Sequence, residues 1–125
     1  MRPTIGSLFK GRPYPRSLFR AVRKRIGAFG PMKMEVFKTQ VSFGRKKKFA
    51  WVWLPQMWNR KRGEAVIALT FKNARGLIRD RRIAEATETS PGHWTHHVII
   101  GKPADIDRQV MRWLRAAYDE AGETE

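Results

Sequence analysis

The chain has 125 residues, 42% of them hydrophobic, which is enough for one domain with a modest core. It contains no cysteine, and this excludes a disulfide framework and a thiolate metal site. No apolar run is long enough to cross a bilayer, and the N-terminus lacks the apolar region of a signal peptide. We therefore expect a protein of the reducing cytoplasm, without a membrane span.

The positive charge is large and unevenly distributed. The formal net charge is +15 at pH 7. Residues 1–48 contain 14 Lys or Arg and a single acid, Glu35, whereas residues 49–125 contain 12 Lys or Arg and 10 acids. Such a field favours phosphate-rich partners or an anionic membrane surface. Selection for solubility, or a genomic preference for arginine, would produce the same composition without any partner.

The N-terminal part is predicted to contain an irregular segment followed by a basic helix. Residues 1–15 hold three prolines and two glycines and are expected to be irregular, while residues 16–122 form a single domain. From Pro15 onward apolar residues recur at helical spacing until "GPM" at 30–32. This pattern predicts an amphipathic helix of about 13 residues. Its polar face carries cations without an acid: Arg16, Arg20, Arg23 and Lys24.

The middle of the chain is predicted to form β-structure. Two strands flank the turn "GRKKK" at 44–48, and Phe49, Trp51 and Trp53 alternate on the second of them. A third strand, "AVIALTF" at 65–71, is apolar on both faces, which is typical of a central strand or of a dimer contact. Between them lies a basic loop around Trp58. Residues 72–82 are basic and are predicted to be irregular.

A second helix is predicted near the C-terminus, between Pro103 and Gly122. Asp105 and Asp107 lie near its start, where the helix dipole favours negative charge. The prediction depends on one apolar stripe, formed by Ile106, Val110, Trp113, Leu114 and Ala117.

All three histidines lie in "HWTHHVII", residues 93–100. The neighbouring residues favour a strand, in which His96 and His97 point to opposite faces and His93 lies about 13 Å from His97. Neither pair could then chelate one metal ion, and we expect no metal or other cofactor. We interpret His96, on the more apolar side, as a hydrogen-bonded structural residue and expect His97 to face outward.

Several segments taken in order resemble a known family. These are "LFKGRPYPRSLFRAVRKRIGAFGPMKMEVFKTQVSF", "KFAWVWLP", "SPGHWTHHVII" and "ADIDRQVMRWLRAAYDEA". They are similar to bacterial proteins of the DUF5655 family, a domain of unknown function, from Leu8 to Ala121. The resemblance implies a compact α+β domain with helices packed on an antiparallel sheet, and it implies no activity. Together with the predicted elements, we expect about four to five strands covered by an N-terminal and a C-terminal helix.

The leading functional hypothesis is a non-enzymatic binding protein that contacts nucleic-acid phosphates through a basic face. The tip at 45–48 and the loop at 59–62 lie at opposite ends of one strand, about 23 Å apart, so they would extend a stripe rather than form a compact cluster. A solvated basic surface without a partner is the alternative. The candidate residues are Arg20, Arg23, Lys24, Arg45, Lys46, Lys47, Lys48, Trp58, Arg60, Lys61 and Arg62.

Two other hypotheses belong to different classes. Lys38, Gln40 and His96 could line a pocket beside the sheet in which Lys38 holds a small anionic ligand, although a solvated lysine is the simpler interpretation. The protein could also be a structural subunit that forms a homodimer through its aromatic strand. No paired catalytic base and no oxyanion-forming glycine motif is present, so we expect no enzymatic activity.

Overall fold

The computed structural model describes residues 2–55 and 66–123, and within them the chain forms one antiparallel sheet of six strands and three α-helices. A 3₁₀ turn, Pro103–Asp105, precedes the last helix. The helices are α1 (Ile5–Leu8), α2 (Pro13–Gly27) and α3 (Arg108–Ala121). The strands are β1 (Lys33–Val36), β2 (Gln40–Gly44), β3 (Lys48–Trp53), β4 (Ile67–Asn73), β5 (Ile83–Ser90) and β6 (His93–Ile100).

The strand order is β1-β2-β3-β4-β6-β5, and every neighbouring pair is antiparallel. β4 therefore lies inside the sheet, between β3 and β6. Every residue from Ile67 to Phe71 is buried, which agrees with the prediction of a central strand from a segment that is apolar on both faces.

The α+β class is confirmed, but the sheet has six strands rather than four to five. The predicted first strand is divided into β1 and β2 by a short turn, where the Phe37 N–H donates to the Gln40 carbonyl at 2.8 Å. β5 was not predicted. It is an edge strand whose residues are mostly exposed, so it has no buried face and shows no apolar alternation in the sequence.

Alternation along the paired strands defines two faces of the sheet. Phe43, Ala50, Phe71 and His96 are in register on the side that we call the helix side, where Trp113 of α3 stacks on Phe71 at 5.6 Å between ring centroids. The other side, the outer face, carries a second register row: Ser42, Trp51, Thr70 and His97.

Both long helices bury an apolar stripe on the helix side. Four residues of α2 have no exposed surface: Leu18, Phe19, Val22 and Ile26. The first fifteen residues take part as well, since they contain α1 and place Leu8 and Phe9 in the core. None of the helices within residues 2–55 and 66–123 is long and apolar enough to cross a membrane.

The C-terminal helix starts later than its sequence pattern suggests. Asp107 is the N-cap of α3, and its carboxylate accepts a hydrogen bond from the Val110 N–H at 2.9 Å. Asp105 belongs to the 3₁₀ turn instead, where it accepts from the amides of Gly101 and Lys102 at 2.9 and 3.1 Å. Both aspartates thus serve helix starts, as the charge pattern suggested, but in two separate elements.

A β-bulge separates Phe49 from the two tryptophans of β3. Gly44 pairs with Lys48 and Phe43 pairs with Ala50, so Phe49 is an extra residue on this strand. Its buried ring contacts Tyr118 of α3 edge-on at 5.6 Å, whereas Trp51 and Trp53 lie on the outer face. The prediction that Phe49, Trp51 and Trp53 share one side of the strand is therefore wrong, because the bulge turns Phe49 toward the helices.

Candidate nucleic-acid interface

The longest row of cations in the described structure follows α2. Arg12 is the N-cap residue, and Arg16, Arg20 and Lys24 follow it at intervals of four, with Arg23 beside the last. Residues four apart are neighbours on a helix surface, so these side chains form one row, which we call the α2 stripe. The three candidates from the sequence, Arg20, Arg23 and Lys24, are all exposed.

In the part of the chain that the structure describes, no acid neutralises the α2 stripe. Residues 1–34 contain no Asp or Glu, and within residues 2–55 and 66–123 no stripe cation forms an ion pair. Like charges four residues apart destabilise a helix, by about 1 kcal/mol for the three pairs of this row. The helix persists because its opposite side is completely buried in the core. The stripe thus costs the fold a little stability, and none of the ion pairs among the described residues involves it.

Other arginines are paired within the protein. Arg82 donates to the carboxylate of Asp107 at 2.6 Å and to that of Asp80 at 3.1 Å, and it thereby attaches the chain before β5 to the start of α3. The guanidinium of Arg82 and the backbone amides beside them hold the pKa of both carboxyl groups below their usual value; the amide of Arg82 contributes most for Asp80 and that of Val110 for Asp107. These cations serve the fold and are poor candidates for a partner surface.

The hairpin tip 45–48 has a structural role that the sequence did not reveal. The amides of Lys46 and Lys47 donate to the Ala121 carbonyl at 3.1 and 3.2 Å, and Arg45 donates to the Tyr118 carbonyl at 3.2 Å. Positive groups at a helix C-terminus are favourable because the carbonyls there lack partners. The tip therefore caps α3, while the side chains of Lys46 and Lys47 are exposed.

The tip also lies next to the end of α2. The Arg45 guanidinium is 4.2 Å from the centroid of the Tyr118 ring, and Phe29, just beyond α2, contacts the same ring at 5.5 Å between centroids. The last candidate of this segment, Lys48, is half-buried with its ammonium group 4.5 Å from the centroid of Phe37. Arg45 thus lies near the C-terminal end of α2, whereas Lys47 and Lys48 line a cleft together with Glu120 and Glu123.

The remaining nucleic-acid candidates cannot be placed. Trp58, Arg60, Lys61 and Arg62 lie outside the described residues. Within the described residues, the end of α2 lies near the hairpin tip, through the Tyr118 ring, and near the start of α3, where Arg25 donates to the Ile106 carbonyl at 2.6 Å. Arg82, in the basic stretch 72–82, is bound to Asp107 at the start of α3. This helix has 14 residues and is about 21 Å long, so Arg82 is far from the hairpin tip at its other end.

The tryptophans of β3 lie on the other side of the sheet from the stripe. The Trp53 indole N–H donates to the Thr70 hydroxyl at 2.8 Å, and this hydroxyl lies 2.6 Å from Nδ1 of His97. Since Thr70 accepts from the indole, its own proton is available for His97. Sequence reasoning missed this network, although Thr70 is the one polar residue in "AVIALTF".

The predicted pocket of Lys38, Gln40 and His96 is not assembled. Lys38 is exposed in the turn between β1 and β2, and Gln40 is on the outer face, in register with Trp53. His96 is on the helix side. The sheet separates His96 from Gln40, because side chains of opposite parity in a paired sheet point to opposite faces.

His96 is instead a buried part of the core. Its ring has no exposed surface, stacks on Phe71 at 5.3 Å between centroids and accepts a hydrogen bond at Nε2 from the Ile78 N–H at 2.9 Å. The predicted hydrogen-bonded structural role agrees with this geometry. Burial, together with the neighbouring His97, lowers the pKa of His96, so the folded protein keeps this ring neutral.

We expect His96 to make the fold sensitive to mild acid. A histidine held neutral in the folded state but free to protonate when unfolded stabilises the protein above its unfolded pKa, about 6.5, and this stability is lost as the pH falls. The unfolding free energy from urea titrations should therefore decrease between pH 7 and 5, by up to about 1.4 kcal/mol per unit. His96→Gln should reduce this slope, and the exposed control His93→Gln should not. Equal slopes in all three proteins would contradict the assignment.

A cleft between the hairpin tip, β4, β6 and the end of α3 has mixed charge. It has a volume of about 370 Å³ and contains Lys48, Lys72 and Trp94, but Glu120 and Glu123 line it as well. Cations and acids side by side give no net preference for an anion. The uncompensated α2 stripe is therefore the better candidate for an anionic partner.

Comparison with known proteins identifies the family. No curated protein sequence and no solved structure matches the chain. One family model does, "Domain of unknown function (DUF5655)", and it covers residues 5–121. The match runs from the first residue of α1 to the last residue of α3. The chain belongs to the DUF5655 family.

Proposed function

We propose that the protein binds the phosphate backbone of double-helical nucleic acid through the α2 stripe, without catalysis and with little base specificity. The observation that carries this proposal is the row from Arg12 to Lys24, which no acid among the described residues neutralises. A helix anchored in the core holds these charges in a fixed row. Release of condensed counterions from the nucleic acid would then drive binding.

The dimensions of the stripe suit a phosphate backbone. Twelve residues separate Arg12 from Lys24, which is about 18 Å along the helix axis. A strand of duplex DNA carries one phosphate about every 3.4 Å of its axis, so the stripe can address a run of about five phosphates. Arg45, near the end of α2, would lengthen this contact.

The position of the aromatic residues favours a duplex over a single strand. Proteins that bind single strands without sequence preference combine cations with aromatic side chains on which bases stack. Here Trp51 and Trp53 lie on the outer face, whereas the α2 stripe is on the helix side. Within residues 2–55 and 66–123, the cations of the stripe are thus separated from the β3 tryptophans, an arrangement that suits the backbone of a double helix, whose bases stay paired.

A membrane surface fits the same helix less well. Amphipathic helices that bind membranes insert their apolar face into the lipid. The apolar face of α2 is already in the core, where Leu18, Phe19 and Val22 have no exposed surface. Membrane insertion would require these side chains to leave the core, so electrostatic contact with nucleic acid is the simpler use of the stripe.

A salt series tests the proposal. We expect a labelled 20-base-pair duplex to bind with a slope of log K against log salt of about −4, so that affinity falls about 10²-fold between 50 and 200 mM salt. Fluorescence anisotropy measures this slope, and a scrambled duplex of equal length should bind equally well. A single strand of the same length should bind more weakly. Absence of binding at 50 mM salt, or affinity independent of salt, would refute the proposal.

A further inference from the structure

A cleft of about 330 Å³ lies where α1 is followed by α2. Four cations contribute to its wall, Lys10, Arg12, Arg16 and Arg20, and no acid does. Phe9 and Gly11, which lie between α1 and α2, also line the cleft. This concentration of positive charge around one cavity distinguishes it from the mixed cleft near Glu120.

Arg16 lacks a protein partner for a buried donor. Its Nε atom is inaccessible to solvent and makes no hydrogen bond within residues 2–55 and 66–123. The half-buried Arg82, by contrast, satisfies its guanidinium with the carboxylates of Asp80 and Asp107. Buried polar groups in native proteins almost always have a partner. A guanidinium is a fork of donors that matches the oxygens of a carboxylate or a phosphate, and Arg16 lines a cleft without an acid, so an oxyanion is the ligand that suits this cleft.

The local sequence makes the side chains, rather than the helix amides, the donors of this cleft. Pro13 and Pro15 have no backbone N–H, so the first three residues of α2 offer only the amide of Tyr14. Gly11 has φ = 72°, a conformation that favours glycine, and it turns the chain from α1 into α2. The cleft is therefore built by a glycine turn and lined by long cationic side chains.

We propose that this cleft binds a single phosphate group, with Arg16 as the central donor and Lys10, Arg12 and Arg20 as neutralising cations. The group is either a free phosphate or one phosphate of a nucleic-acid backbone, because both present the same tetrahedral oxyanion. Binding of a backbone phosphate rests on the proposed function, whereas binding of a free phosphate does not. In the second case the cleft anchors one end of the α2 stripe, which begins at Arg12.

Titration with inorganic phosphate tests the site directly. Isothermal titration calorimetry and thermal unfolding are carried out on the full chain at constant ionic strength, with chloride as the reference anion. We expect saturable binding and a higher unfolding temperature in phosphate. Arg16→Gln should raise the dissociation constant for phosphate at least tenfold. Arg16→Lys should weaken binding less, since it keeps the charge but loses the fork.

The control is Arg108→Gln, which removes one exposed arginine from α3, away from this cleft, and should bind phosphate like the wild type. Circular dichroism verifies that each variant is folded. The site is refuted if the wild type shows no saturable phosphate binding, or if folded Arg16→Gln binds phosphate as tightly as the wild type.

Duplex binding by the same variants distinguishes the two sources. If Arg16→Gln also weakens duplex binding about tenfold, and phosphate competes with the duplex, a backbone phosphate occupies the cleft. If Arg16→Gln loses phosphate but retains duplex affinity, the cleft is a site for a free phosphate group. A wild type that binds phosphate but no duplex would refute the proposed function and leave the cleft supported.

Discussion

Reversal of two charges on the α2 stripe, Arg20→Glu with Lys24→Glu, is expected to weaken duplex binding about 100-fold at 50 mM salt. Two phosphate contacts are lost and two repulsive charges replace them, and 100-fold corresponds to about 2.7 kcal/mol. The slope of log K against log salt should become shallower by about 2. Both side chains are exposed, and the change makes positions 16 and 20 an opposite-charge pair while positions 20 and 24 stay a like-charge pair, so stability should be retained. Anisotropy titrations at several salt concentrations measure both quantities.

The matched control is Lys33→Glu with Lys72→Glu. This pair changes the net charge by the same amount, but both exposed side chains lie on the outer face of the sheet. Duplex affinity should remain within about threefold of wild type, because neither side chain belongs to the α2 stripe. Equal losses in the two double variants would show that overall charge, and not the α2 stripe, determines binding. Lys46→Glu with Lys47→Glu should give a smaller loss than the α2 pair if the contact extends to the hairpin tip.

Truncation of Phe71 to alanine is expected to remove about 3–5 kcal/mol from the free energy of unfolding. The side chain is completely buried in the central strand and stacks between His96, at 5.3 Å, and Trp113, at 5.6 Å. Its removal leaves a cavity between the sheet and α3 and abolishes both ring contacts. A loss of this size is a large share of the stability of an ordinary domain.

Urea is the suitable denaturant for this measurement, because it does not screen the many charges of a protein with a net charge of +15. Phe71→Leu is the control, since it keeps most of the volume and should cost less than half as much. A loss below about 1 kcal/mol for Phe71→Ala, with an unchanged m-value, would contradict the placement of this ring at the centre of the core.

The predicted elements that proved correct share one property. α2, α3 and β4 each bury a face or an entire strand, so their apolar residues follow a period that is visible locally. β5 has almost no buried side and therefore no period. The bulge at Phe49 also escaped prediction, because its extra residue is defined only by pairing with β2.

The candidate site was only partly predictable. The charge asymmetry identified Arg20, Arg23 and Lys24 as members of a basic face, and all three are exposed on one helix. The hairpin tip was grouped with them by composition alone, yet its Arg45 and backbone amides cap α3, more than seventy residues further along the chain. Arg16 was noted only as part of the helix. The cleft that it lines, with its buried Nε, forms only where α1 and α2 meet in the folded chain.

The sequence by itself determined the α+β class, the two amphipathic helices, the central strand and the large excess of cations over acids in residues 1–48. These properties depend on spacings of two to four residues and on composition. Only the tertiary structure decided that Arg82 has carboxylate partners while the α2 stripe has none among residues 2–55 and 66–123, and that His96 is buried with the core on the face opposite Gln40. Such pairings join residues far apart in the chain. The sequence around a cation therefore does not show which acid will lie beside it after folding.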